Sequence, residues 1–100
     1  MQLATKRKGG AISAALSGEL DHHNAAVIRE KLDTLLDDGI NELTLDMSGI
    51  TFMDSSGIGV ILGRYRRMSE RGGKMYIKGV NDYSERILRM AGVLALVERK

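Results

Sequence analysis

FMDSSGIGVILG, Phe52 to Gly63, opens like the end of a strand and closes like a helix, with a middle almost stripped of large side chains. Gly57, Gly59 and Gly63 fall in the first turns of that helix, where each glycine costs about 1 kcal/mol relative to alanine. Local helix stability does not account for them. One reading is close packing, in which Gly59 and Gly63 let the helix approach the sheet or a neighbouring helix. The other is access. Ser55, Ser56 and Gly57 would place hydroxyls and bare backbone at a helix N-terminus, where unpaired N–H groups and the positive dipole end favour an anion. Asp54, Ser55 and Ser56 are all N-cap candidates, yet a single cap needs only one of them.

Upstream, Leu43, Leu45 and Met47 alternate with Thr44 and Asp46, a strand that leads through Ser48-Gly49 into the quoted segment. Downstream, Ile58, Ile61, Leu62, Tyr65 and Met68 take helical spacing until Gly72-Gly73 stops the run. Further out, Ile12, Ala14 and Leu16 alternate with Ala11, Ser13 and Ala15, and Gly9-Gly10 would turn an earlier strand, Gln2 to Arg7, into this one. Ala25, Ile28, Leu32, Leu35 and Leu36 predict a helix of about four turns, with Asp21 or Asn24 as cap and Gly39 past its end. Met75-Tyr76-Ile77 reads as a short strand. Asn81 to Ala91 reads as a helix capped by Asn81 or Asp82 and ended by Gly92, before a last short strand around Leu94 to Val97. The predicted order is β-β-α-β-α-β-α-β, an α/β chain whose mixed, mainly parallel sheet has helices packed on it.

The 100 residues are 43% hydrophobic, which suits one domain, 1–100, with a single core. There is no cysteine, so disulfides and thiolate zinc sites are excluded and a reducing, cytoplasmic home is expected. Neither a signal peptide nor a membrane span is legible. Fifteen basic and 13 acidic side chains leave a net charge of +2, mostly interleaved. Lys6-Arg7-Lys8 form one basic cluster, and Arg64, Arg66, Arg67 and Arg71 another that reads as a solvated helix face. With one Phe, three Tyr and no Trp, the chain lacks the stacking platform of a nucleic-acid binder, so no direct nucleic-acid partner is expected.

Enzyme chemistry finds little footing. The spacing G-x-G-x-x-x-G meets neither the dinucleotide nor the P-loop fingerprint. Ser55 and Ser56 lack the G-x-S-x-G elbow of a hydrolase nucleophile. Asp21-His22-His23 has the look of a metal cluster, but adjacent side chains point in different directions and no other histidine exists to complete one. The expectation is a protein that is not an enzyme and uses no metal or cofactor.

G-E-L-D-H-H at 18–23, F-M-D-S-S-G at 52–57 and V-I-L-G-R-Y at 60–65, with M-A-G at 90–92, closely resemble anti-sigma factor antagonists of the STAS domain family, sporulation type. The resemblance runs from about Gly18 to Val97. It implies a STAS-like fold and a binding protein controlled by phosphorylation. The unmodified form would bind an anti-sigma factor with serine kinase activity and so release a sigma factor; phosphorylation would abolish binding, and a serine phosphatase would restore it. The family's phosphoacceptor falls on Ser55, and its partner-contacting aspartate at the start of the first helix falls on Asp21. Asp54, Ser56, Gly57 and Gly59 would complete the partner-binding surface. The alternative is an accessory interaction domain of a transport or signalling complex without a phosphorylation switch.

Overall fold

The computed structural model describes residues 1–37 and 39–100. The chain starts with β1 (Gln2–Lys8), which turns at Gly9, φ 61°, into the antiparallel β2 (Ala11–Leu20). There follow α1 (Ala25–Leu35), β3 (Glu42–Met53), α2 (Ser55–Glu70), β4 (Lys74–Lys78) and α3 (Asp82–Met90). A 3-10 turn, Val93–Ala95, leads to β5 (Glu98–Arg99). The strands lie side by side in chain order, β1-β2-β3-β4-β5, and every pairing after the first is parallel.

That order decides where the core lies. Parallel neighbours joined by right-handed crossovers that advance in one direction place every connecting helix on the same face. Burial follows this rule. Ile12, Ala14 and Leu16 of β2, Leu43, Leu45 and Met47 of β3, and Met75 and Ile77 of β4 are buried against Ile28 and Leu32 of α1, Val60, Ile61 and Met68 of α2, and Leu88 of α3. Of the alternate positions, Ala11, Ser13, Ala15 and Tyr76 are half-buried and Thr44 is buried. They form a second face that carries no helix among the described residues.

The third strand runs through Ser48-Gly49 to Met53, with two register shifts against β2. Such bulges re-aim the strand without breaking it. Two expectations need correction. Helix α1 has 11 residues, about three turns, because Leu36 leaves the helical region at φ −87°, ψ 60°. The segment Leu94–Val97 is not a strand. Val97 N–H donates to the Val93 carbonyl at 3.0 Å, and Val93 and Val97 are both buried, so the spacing there is that of a helical turn. The strand comes later, at Glu98–Arg99.

The basic helix face is also reassigned. Arg64 is only 6% exposed and faces Asp33 of α1, with Nε 3.2 Å from Oδ1, while Arg67 reaches the same oxygen at 2.8 Å. Arg71 donates to the carbonyls of Asp37, Ile40 and Leu36 at 2.7, 2.9 and 3.0 Å. Of the four arginines, Arg66 is the exposed one.

Candidate functional site

Parallel pairing of β2 with β3 sets Leu20 beside Met53, so the loops that leave these two strands emerge together at one edge of the sheet. Asp54 joins them. Its Oδ1 accepts from the N–H groups of Ser56 and Gly57, at 2.9 and 3.3 Å, and so caps α2. Its Oδ2 accepts from His22 N–H at 3.0 Å, across to the other loop. One carboxylate therefore orders both the start of α2 and the turn before α1.

Asp21 occupies that turn. Its Oδ1 accepts from His23 N–H at 3.0 Å and Asn24 N–H at 3.1 Å, and its carbonyl accepts from Ala25 N–H at 2.9 Å. Asn24 is the cap residue of α1 but its side chain does no capping; it donates instead to the Glu19 carbonyl at 2.8 Å. Asp21 is half-buried rather than fully exposed. His22 and His23 are exposed and meet edge to face, with ring centroids 5.8 Å apart.

Ser55 is the first residue of α2 and is exposed, and Ser56 beside it is half-buried. The glycines divide differently from the expectation. A Cβ on Gly57 would run into the Leu20 carbonyl oxygen and stand 2.8 Å from Leu20 Cγ and 3.0 Å from Met53 Cγ. Gly57 is thus the close-packing position, buried where α2 starts against β2, and it offers no surface. Gly59 and Gly63 have nothing within 4 Å of such a Cβ. Gly59 is exposed and, with His22, Ala25, Ala26, Arg29, Ser56 and Val60, lines a shallow groove of about 350 Å³ between the first turns of α1 and α2. The low surface beside Ser55 is therefore made by Gly59 and two alanines. Sequence reasoning passed over Arg29, Ala25 and Ala26 as groove residues; their helical spacing from the Asp21 turn was the available signal.

At the same edge, Phe52 and Tyr83 are each 42% exposed, and the Tyr83 hydroxyl donates to the Met53 carbonyl at 3.4 Å. The amide of the cap residue Asn81 donates to the Ile50 carbonyl at 3.0 Å, which fastens α3 to β3 just below the Asp54 loop. Among the described residues, no helix is long and apolar enough to cross a membrane.

The sequence pattern of the STAS domain matches residues 2–100. The chain belongs to the STAS domain family. It is 37% identical over 98 residues to an anti-sigma F factor antagonist of Paenibacillus polymyxa, a match that covers 97% of this chain and 84% of that protein. Its fold is that of the anti-sigma factor antagonist SpoIIAA in its unphosphorylated form, with TM-score 0.85, 24% identity and coverage of 99% and 88% of the two chains. SpoIIAA of Bacillus in the phosphorylated form is also similar, with TM-score 0.78, 24% identity and coverage of 99% and 91%.

The electrostatics of this STAS domain carry a pH dependence. Desolvation works against the Asp54 carboxylate, but the N–H donors of His22, Gly57 and Ser56 outweigh it and hold its pKa below the ordinary aspartate value of 3.8. Asp37 is lowered by Gly39 N–H and by Arg7, and Asp46 by the N–H and hydroxyl of Ser48. A folded-state pKa below the unfolded one adds stability that is fully present above the unfolded value and is lost as pH falls through the folded one. The melting temperature should accordingly hold between about pH 7 and 5 and fall below about pH 4, and Asp54→Asn should shorten that acid limb. Thermal unfolding followed from pH 7 to 3 checks this; an acid limb unchanged in the variant would remove Asp54 from the account.

Proposed function

We propose that this STAS domain is an anti-sigma factor antagonist of the cytoplasm, a binding protein and not an enzyme. In its unmodified form it binds an anti-sigma factor that is also its serine kinase, and the sigma factor is released. Phosphorylation of Ser55 ends the complex, and a serine phosphatase resets it. The observation that carries this reading is the exposed Ser55 hydroxyl at the start of α2, on the edge where Asp54 holds the Asp21 turn against it. The name of the Paenibacillus polymyxa relative supports the partner class.

The local chemistry explains why one phosphate would suffice. A phosphoserine brings about −1.5 to −2 charges. At an ordinary helix N-terminus free N–H groups would neutralise part of that charge. Here the Asp54 carboxylate already takes the N–H groups of Ser56 and Gly57, so the new charge stands beside an existing one with the nearest donors occupied. The excess negative charge faces outward, over the groove at Gly59, where the partner would sit. Like charges at a desolvated interface cost several kcal/mol, a loss of about 100-fold or more in affinity. The fold need not change, in keeping with the similarity of this chain to SpoIIAA in both forms.

The test is incubation with the host's anti-sigma kinase and ATP, with the modified residue mapped and binding measured. One phosphate on Ser55, a drop in affinity of about 100-fold and a Ser55→Ala variant that stays bound in ATP are the expected results. Modification at Ser56 would move the site. A complex indifferent to ATP would favour the accessory role instead.

A further inference from the structure

The face of the sheet that carries no helix is not evenly charged. The register places Lys6 and Lys8 of β1 beside Ser13 and Ala11 of β2, then Thr44 and Glu42 of β3, then Tyr76 and Lys74 of β4. Lys78 closes this side of β4 and Lys100 follows β5. All of these but Tyr76 and Lys74 line an open trough of about 470 Å³ whose floor is Ala11, Ser13 and Thr44 and whose rims are Lys6, Lys8, Lys78 and Lys100. Glu42 is the one carboxylate in its lining, and Lys100 already lies 3.6 Å from it. Among the described residues, Lys6, Lys8 and Lys78 have no carboxylate within ion-pair distance.

We propose that this trough is a docking surface for an acidic segment of a partner protein. From β1 to β4 is three strand spacings, about 14 Å, and a helix with its side chains is about 10–12 Å across. One helix or one extended stretch fits between the lysine rims. Charge complementarity selects an anionic occupant, two observations select protein among the anionic classes, and a third excludes a second copy of this chain. A membrane surface would call for exposed apolar side chains, and the large ones, Val27, Phe52, Tyr83, Met90 and Leu96, are all elsewhere. A nucleic acid would call for free aromatic faces, and the single ring here, Tyr76, is half-buried with the Lys100 ammonium 4.7 Å from its centroid. A second copy of the chain would bring lysines against lysines. The trough lies at the N-terminal ends of β2 and β3, and the Ser55 edge at their C-terminal ends, so both surfaces are open at once.

The test uses a short fluorescein-labelled oligoglutamate peptide, followed by anisotropy and by amide NMR. The wild-type chain should bind it, with amide shifts at Ser13, Thr44 and Lys78 and an affinity that falls as salt is raised. Lys6→Glu with Lys78→Glu should weaken binding at least about tenfold. Arg66→Glu with Arg86→Glu makes the same change in net charge on exposed positions of α2 and α3 and should leave the affinity within about twofold. Equal losses in the two variants, or shifts that cluster at the Ser55 edge, would overturn the proposal. So would binding to phosphatidylglycerol vesicles or to an RNA oligomer without binding to the peptide, or dimerisation that the Lys6 and Lys78 reversals abolish.

Discussion

Gly57→Ala is expected to lower the stability of the domain by about 3 kcal/mol or more, the upper range for forcing extra atoms into a packed site. The added methyl meets the Leu20 carbonyl, which is backbone within the sheet, and two side chains, Leu20 and Met53, that are themselves fully buried. None of these can swing aside. For a domain of this size the loss corresponds to a melting temperature lower by about 12 °C or more. Gly59→Ala and Gly63→Ala should behave oppositely and raise stability by about 0.4 to 1 kcal/mol, since their methyls meet nothing within 4 Å and the unfolded chain loses freedom. If Gly59 is part of the proposed partner's footprint, Gly59→Ala will bind that partner less well while melting higher. Thermal scans of the three variants decide it: a Gly57→Ala protein as stable as wild type would mean that α2 can lift off β2 at little cost.

Arg71→Ala is the second large effect, with a loss of about 2–3 kcal/mol expected. The guanidinium supplies donors to three carbonyls at the end of α1 and in the loop after it, those of Leu36, Asp37 and Ile40. A helix leaves its last carbonyls without partners, and here a residue 35 positions away supplies the donor for Leu36. Three separate bonds to a charged donor would sum to more, but Asp37 is exposed and its carbonyl can return to water. Arg71→Lys should recover only part of the loss, because an ammonium cannot reproduce the fork that reaches three acceptors at once. Denaturant unfolding gives the magnitude, and faster amide exchange at Leu36 and Ile40 gives the location. A change within about 0.5 kcal/mol would show that water replaces the clasp.

These two residues also mark where sequence reading stops. The alternation of β2 and β3, the helical spacing after Ser55 and the Asn81 cap are local patterns, and each appears in the structure where it was read. The meeting of the Asp21 and Asp54 loops follows from parallel strands alone. What a glycine or an arginine does depends on which distant element lies against it. Gly57 and Gly59 differ by two positions, and nothing in their spacing tells that one abuts Leu20 and the other faces solvent. Arg64 and Arg66 likewise differ only in which side of α2 they occupy, one against Asp33 and the other in water. The last strand was misplaced for a related reason. Val93, Leu94, Leu96 and Val97 are apolar enough for either structure, and the left-handed Gly92, φ 78°, starts a further helical turn there.

The sheet is laid down in the order in which the chain is written, β1 through β5. Among the described residues, no strand is inserted between two that were made earlier. As the polypeptide leaves the ribosome, the β1–β2 hairpin can close first, and each later strand then meets an edge that already exists, with its preceding helix ready to cover it. A nascent chain of this kind exposes one growing edge at a time, and the fifth strand, Glu98–Arg99, adds only two residues to that edge, too few to template another molecule.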